Sequence, residues 1–163
     1  NVGNSSLINA LTGRKGLARS SNTPGRTQEI NFFTLADAHY LVDLPGYGFA
    51  NAPIPVVEKW QRLLKNYLVG RPNLRRAFVL IDARHGVKKV DEDILKLLDT
   101  SAVTFQVVLT KADKVKAKDR DAVIAQVQKA LAPHPAAFPG IILTSSEKGD
   151  GIDTLRAIIA ALP

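Results

Sequence analysis

The chain has 163 residues, 45 % hydrophobic and 23 % charged, which suits one domain with a sizeable core. It contains no Cys, which excludes disulfides and thiolate metal sites and suits a cytoplasmic protein, and no apolar run approaches the ~18 residues of a membrane span, so no membrane partner is expected. A net charge of +7 and a pI of about 9.8 favour a polyanionic partner such as RNA, with general solubility charge as the alternative and no DNA partner expected.

Ser5 to Leu11 reads as the start of a helix, and residues 14–29, rich in Gly, Ser, Arg and Lys, read as a long mobile loop. Ile30 to Leu35 and Tyr40 to Leu44 read as two strands joined by the short turn Asp37-Ala38-His39, a candidate hairpin. Pro53 and Pro55 precede a helical stretch from Val56 to Val69 that carries the single Trp60, expected to anchor the core. Ala77 to Ile81, ending at Asp82, and Val103 to Leu109 are apolar enough to be buried strands. Between them, Asp91 to Leu98 shows helical spacing. Residues 117–132 repeat that spacing at Val123, Ile124, Val127 and Leu131. Ile141 to Leu143 is a short strand, and Ile152 to Leu162 is a closing helix. Strands alternating with helices imply an α/β sandwich with a mostly parallel sheet, whose ligands bind at the carboxyl ends of the strands. No repeat or internal boundary divides residues 1–163, so a single domain is expected.

Four short strings carry chemistry. Asn1-Val2-Gly3-Asn4-Ser5-Ser6 matches the end of the phosphate-binding pattern G-x-x-x-x-G-K-[ST], with Gly3 as its second Gly and Ser5 as its hydroxyl residue. The first Gly of the pattern and the strand before it would precede Asn1, so the chain is expected to be a fragment lacking an N-terminal segment. Asn4 stands where the pattern has Lys; taken alone, the string also fits a helix cap. Asp43-Leu44-Pro45-Gly46 follows a strand; a carboxylate there can hold Mg²⁺ through water, and Gly46 lets its backbone N–H approach a γ-phosphate. An ordinary strand-to-loop turn looks the same.

Thr110-Lys111-Ala112-Asp113 ends the next buried strand but one and matches the guanine-reading pattern [NT]-K-x-D. One carboxylate accepts two hydrogen bonds from guanine N1–H and N2–H₂, a pair adenine does not offer, so Asp113 selects GTP over ATP. Thr144-Ser145-Ser146 follows the last strand, where a backbone N–H reaches guanine O6. The four strings fall in the chain order of a GTP-binding P-loop domain, and together they point to one.

The runs NVG-SSLINAL, SNTPGRTQEINFF, DLPGYGFA, VLTKADK and TSSEKGDGI resemble the EngB/YihA (YsxC) family of GTPases over nearly the whole chain. The resemblance implies a Ras-like G domain of P-loop NTPase fold, a mostly parallel sheet with helices on both faces and here without its first strand. It implies that Thr27 and Ser5 ligate Mg²⁺ along with Asp43, that Gly25, Arg26, Gln28 and Glu29 flank GTP or GDP, and that Asp43 to Gly46 form a second switch. Tyr47 occupies the position where Ras-type enzymes place a water-orienting Gln, so hydrolysis needs another device. In related GTPases an Asn at the position of Asn1 helps bind K⁺ in place of an arginine finger. The implied partner is the large ribosomal subunit and its rRNA, with a further family role in division septum formation; a monomer is expected, since nothing in the sequence resembles a coiled coil or a large exposed apolar face.

Asn4 departs from the family. The missing charge-assisted bond to phosphate amounts to about 1.5–3 kcal/mol, about tenfold to hundredfold in affinity, and hydrolysis should suffer more. Two rivals therefore stand beside the GTPase: a catalytically impaired rRNA- or ribosome-binding module, and an ATP-using enzyme, which Asp113 disfavours. Basic residues gather at Arg14, Lys15 and Arg19, at Arg71, Arg75 and Arg76, and at Lys111, Lys114, Lys116, Lys118 and Arg120, each a candidate phosphate-contacting group.

Overall fold

The computed structural model describes residues 4–13, 31–35, 39–43, 54–69 and 71–163. Five helices and five strands are present among them, in the order α1 (Asn4–Thr12), β1 (Asn31–Leu35), β2 (His39–Asp43), α2 (Ile54–Leu68), β3 (Ala77–Asp82), α3 (Lys89–Thr100), β4 (Phe105–Thr110), α4 (Ala117–Leu131), β5 (Ile142–Leu143) and α5 (Ile152–Ala160). β1 and β2 form the expected antiparallel hairpin, with Phe33 opposite Leu41. β3, β4 and β5 form a parallel sheet in that order, with Asp82 beside Thr110 and Leu109 beside Leu143.

Alternation along the strands builds the layers. Val79 and Ile81 of β3, with Phe105, Val107 and Leu109 of β4, face a core closed by Leu64, Tyr67 and Leu68 of α2, Leu95 and Leu98 of α3, and Val127 and Leu131 of α4. The intervening Phe78, Leu80 and Val108, with Ile142, face Leu7 and Leu11 of α1 and Ile152, Leu155 and Ile159 of α5. The hairpin joins both sides, since Leu41 packs into the second cluster and its neighbour Val42 into the first. Strand neighbours point to opposite faces, so β2 lies in the same layer as the parallel sheet. The result is the expected α/β architecture, a sheet with helices on both faces.

Element boundaries differ from expectation by one or two residues, each for a local reason. α2 begins at Ile54 and admits Pro55 to its first turn, where a missing N–H costs no helical hydrogen bond. α3 begins before Asp91, because the Lys88 N–H donates to Asp91 Oδ2 at 2.7 Å and closes the N-terminus. β4 begins only at Phe105. Ala102 takes a left-handed conformation (φ 55°) and the Val103 N–H reaches back 3.0 Å to the Leu98 carbonyl, so Val103 serves the helix end. Trp60 lies on α2, and its side chain lies outside the described residues.

Candidate functional site

The carboxyl ends of β3, β4 and β5 bring three segments together. Thr110 ends β4 beside Asp82, and the chain then turns sharply: Lys111 is left-handed (φ 58°, ψ 36°) and starts a single 3₁₀ turn, Ala112–Lys114. A non-glycine residue in that region is held there by its surroundings. Here the Ala112 N–H donates to the Thr144 carbonyl at 3.0 Å, while the Thr144 N–H and hydroxyl donate to the Leu109 carbonyl at 2.8 and 3.1 Å. From α4, Arg120 donates to the Ala112 carbonyl at 3.1 Å. The loop after β4 is thus bolted to the segment after β5.

That bolting brings Asp113 and Ser145 together. The Ser145 hydroxyl donates to Asp113 Oδ1 at 2.8 Å and accepts from the Lys148 N–H at 3.0 Å. Ser145 is fully buried, and it is wrapped by the turn that follows: its N–H donates to the Asp150 carbonyl and its carbonyl accepts from Gly149. The Ser145 hydrogen bond holds the Asp113 carboxyl below the usual carboxylate range, against partial burial and with help from Lys114 3.7 Å away. Asp113 is an ionised acceptor with one oxygen occupied by Ser145 and the group as a whole held in one orientation. Gly151 closes the turn at φ 74°, and a Cβ there would stand 2.0 Å from the Leu143 carbonyl oxygen, so only glycine fits.

Asp82 was read from the sequence only as the end of a strand. It is 5 % exposed and receives the Arg84 backbone N–H and guanidinium at 2.9, 3.0 and 2.7 Å. Lys111 Nζ lies 3.5 Å from the same carboxylate. Burial opposes ionisation of Asp82, but the Arg84 hydrogen bonds and the two cations outweigh it and lower the pKa to about 2. Asp82 therefore tethers the lysine of the Thr110–Asp113 string from the neighbouring strand. A second missed residue is Arg156 of α5, which donates to the Leu11 and Ala10 carbonyls at 2.9 and 2.8 Å and ties down the C-terminus of α1.

Ser5 and Ser6 lie in the first turn of α1, Ser5 half-buried and Ser6 exposed. Ser146 follows Ser145 and is half-buried. Asn4 opens α1 and Asp43 ends β2, but the side chains of both lie outside the described residues. So do Asn1, Val2, Gly3, Gly25, Arg26, Thr27, Gln28, Glu29, Leu44, Pro45, Gly46 and Tyr47. Among the described residues no group of three or more His, Cys, Asp or Glu side chains is arranged to hold a metal, and no helix is long and apolar enough to cross a membrane.

Comparison with known proteins agrees with this arrangement. Residues 1–111 match the family model described as 50S ribosome-binding GTPase, and residues 65–163 match the elongation factor Tu GTP binding domain. The probable GTP-binding protein EngB of Roseobacter denitrificans is 78 % identical over 99 % of this chain and 75 % of its own length. Its namesake from Ruegeria pomeroyi is 79 % identical over the same shares. Among solved structures, a probable GTP-binding protein engB superposes with a TM-score of 0.74 at 25 % identity, covering 98 % of this chain and 92 % of that one. Era, solved with MgGDPNP and 16S ribosomal RNA, superposes at 0.75 with 24 % identity over 100 % of this chain and 54 % of its own, a likeness of fold.

Proposed function

Because this chain belongs to the EngB family of GTP-binding proteins, a family of GTPases, we propose that it is a guanine-nucleotide switch acting in assembly of the large ribosomal subunit. The observation that carries the reading is the Ser145–Asp113 hydrogen bond at the carboxyl edge of the parallel sheet. An ionised, oriented carboxylate at that edge suits the N1–H and N2–H₂ donors of guanine and repels the lone pair that adenine N1 presents there. Thr110 and Lys111 precede it, Lys111 tethered by Asp82, and Thr144 to Ser146 line the neighbouring turn.

Ser5, Thr27 and Asp43 are the residues that would hold Mg²⁺. Two hydroxyls and a carboxylate are hard oxygen donors of the kind it takes, and Ser5 stands in the first turn of a helix, where anions gather. Bound there, the ion would offset phosphate charge. The phosphates would meet the N-terminus of α1 through Asn1 to Ser6, and Gly25 to Glu29 and Asp43 to Gly46 would order around the third phosphate and relax after hydrolysis. Water is the nucleophile. With Tyr47 in place of a water-orienting amide, Asn1 is assigned to a K⁺ that offsets transition-state charge. Exchange of K⁺ for Na⁺ should then slow turnover. The switched surface engages the pre-ribosome, and the whole chain acts as one G domain.

Asn4 favours a second reading, a ribosome-binding module that has lost catalysis, because it removes the cation that serves both binding and transition-state charge. Calorimetric titration of GDP, GTP and ATP against the protein and its Asn4→Lys and Asp113→Ala variants separates the two. The switch requires guanine binding that strengthens in Asn4→Lys and loses its preference over adenine in Asp113→Ala. If Asn4→Lys binds neither GDP nor GTP, the module is the better account.

A further inference from the structure

We propose that the amino-end edge of the parallel sheet, carrying Arg71, Arg75, Arg76 and Phe138, is a second binding surface that takes single-stranded RNA. The inference rests on the ribosome-directed reading above and names a contact for it.

Residues 59–76 contain Lys59, Arg62, Lys65, Arg71, Arg75 and Arg76 and no Asp or Glu. Three of these cations sit where the chain enters β3. Arg71 is exposed; its Nε donates to the Tyr67 carbonyl at 2.8 Å, capping α2, and its guanidinium lies 3.7 Å from the Tyr67 ring centre. Arg75 is exposed, and its hydrogen bond goes to a backbone carbonyl, that of Pro72. Arg76 is half-buried, donates to Gln106 Oε1 at 3.0 Å, and lies 4.0 Å over the Phe138 ring.

The aromatic ring is held from both ends of its segment. The Phe138 N–H donates to the Phe105 carbonyl at 2.7 Å, and Gln106 Nε2 donates to the Gly140 carbonyl at 3.0 Å. Phe138 is nevertheless 38 % exposed, an aromatic fixed by backbone and cation and still open to solvent. A fixed ring beside an arginine is a stacking platform for an unpaired base, and arginines around it suit the phosphates.

Charge together with the ring argues for single-stranded RNA here more than at the other described basic cluster. Lys111 and Lys114 there face Asp82, Asp113 and Glu147, and Arg120 is spent on the Ala112 carbonyl. Lys116 and Lys118 of that cluster are exposed, but residues 111–120 contain no aromatic on which a base could stack. Among the described residues, Arg71, Arg75 and Arg76 face no carboxylate within ion-pair distance. Asp99, near the same segment, is held by His134 and the Ala136 N–H. β3 spans about 17 Å between Arg76 and the guanine-reading end, so RNA and nucleotide can be held together.

Fluorescence anisotropy with a labelled oligouridine, co-sedimentation with purified 50S subunits, and GDP titration would be run on the protein and on Arg75→Glu, Phe138→Ala and Phe138→Tyr. Arg75 and Phe138 lie outside the nucleotide site, so GDP affinity should stay unchanged. Phe138→Ala should weaken oligouridine binding roughly fivefold to hundredfold and Phe138→Tyr should restore it. Arg75→Glu should lower the steepness of log affinity against log salt by at least about 0.7. Unchanged oligouridine binding in both Arg75→Glu and Phe138→Ala overturns the surface. Loss of 50S binding with oligouridine binding intact also overturns it and makes the partner a ribosomal protein. A protein that binds oligouridine through this edge but never binds 50S keeps the surface and sinks the ribosomal reading instead.

Discussion

Arg156 and Leu11 stand 145 residues apart in the chain and are joined by a 2.9 Å hydrogen bond from the guanidinium to the backbone carbonyl. A second bond, to the Ala10 carbonyl, makes the contact a two-pronged cap on the negative end of α1. The other end of that helix carries Ser5. Arg156→Ala should destabilise the fold by about 1–2 kcal/mol in urea unfolding, discounted because the side chain is partly exposed. It should also weaken GDP binding without changing the preference for guanine over adenine. An unchanged unfolding midpoint would mean that the cap contributes nothing.

Asp82 is the anchor beneath Lys111. Its pKa is lowered to about 2 from an ordinary 3.8, so the folded chain favours the carboxylate. The stability this provides is complete above about pH 4 and is lost as pH falls through 2. With Arg84 half-exposed, about 1–2 kcal/mol is a reasonable size for it. Asp82→Asn should flatten the acid limb of stability against pH and remove the carboxylate beside Lys111, lowering GDP affinity. An acid limb identical to that of the parent would remove Asp82 from this role.

His134 joins α3 to the segment after α4. Its Nε2 lies 2.9 Å from Glu92, and its Nδ1 faces Asp99. Burial opposes charging the ring, but hydrogen bonds to Asp99 and Glu92 outweigh it and raise the pKa above 6.5. A raised value means that the contribution is full below about pH 6.5 and is lost as pH rises through the folded value. His134→Gln should therefore cost more stability at pH 6 than at pH 9, about 1–3 kcal/mol at the acidic end. NMR titration of the imidazole gives a direct check, and a midpoint below 6.5 would contradict the pairing.

Gly151 has no room for a side chain against the Leu143 carbonyl. Gly151→Ala should cost about 2 kcal/mol or more and displace the turn that wraps Ser145. Guanine affinity should fall further than the stability loss alone explains, because Asp113 loses the hydroxyl that orients it. Equal GDP affinity in Gly151→Ala and parent would show that Ser145 does not need this turn.

Every strand and helix among the described residues was legible in the sequence, because periods of two and 3.6 are local properties of the chain. At two of the places where reading missed by a residue or two, the deciding contact was a cap: the Asp91 carboxylate lengthened α3, and the left-handed Ala102 shortened β4. Thr110 to Asp113 and Thr144 to Ser146 were legible as strings, since each is a run of neighbouring residues at the end of one strand.

The amino-acid sequence by itself determined the elements, the family and the short strings of the proposed nucleotide site. Only the tertiary structure decided which distant side chains serve those strings. Asp82 reads as an ordinary strand end until parallel pairing sets it beside Thr110. Arg156 carries no signal in the local sequence, and its role emerges only where α5 lies against α1. Such partners are selected by three-dimensional proximity between residues far apart in the chain, and neither composition nor periodicity encodes that proximity locally.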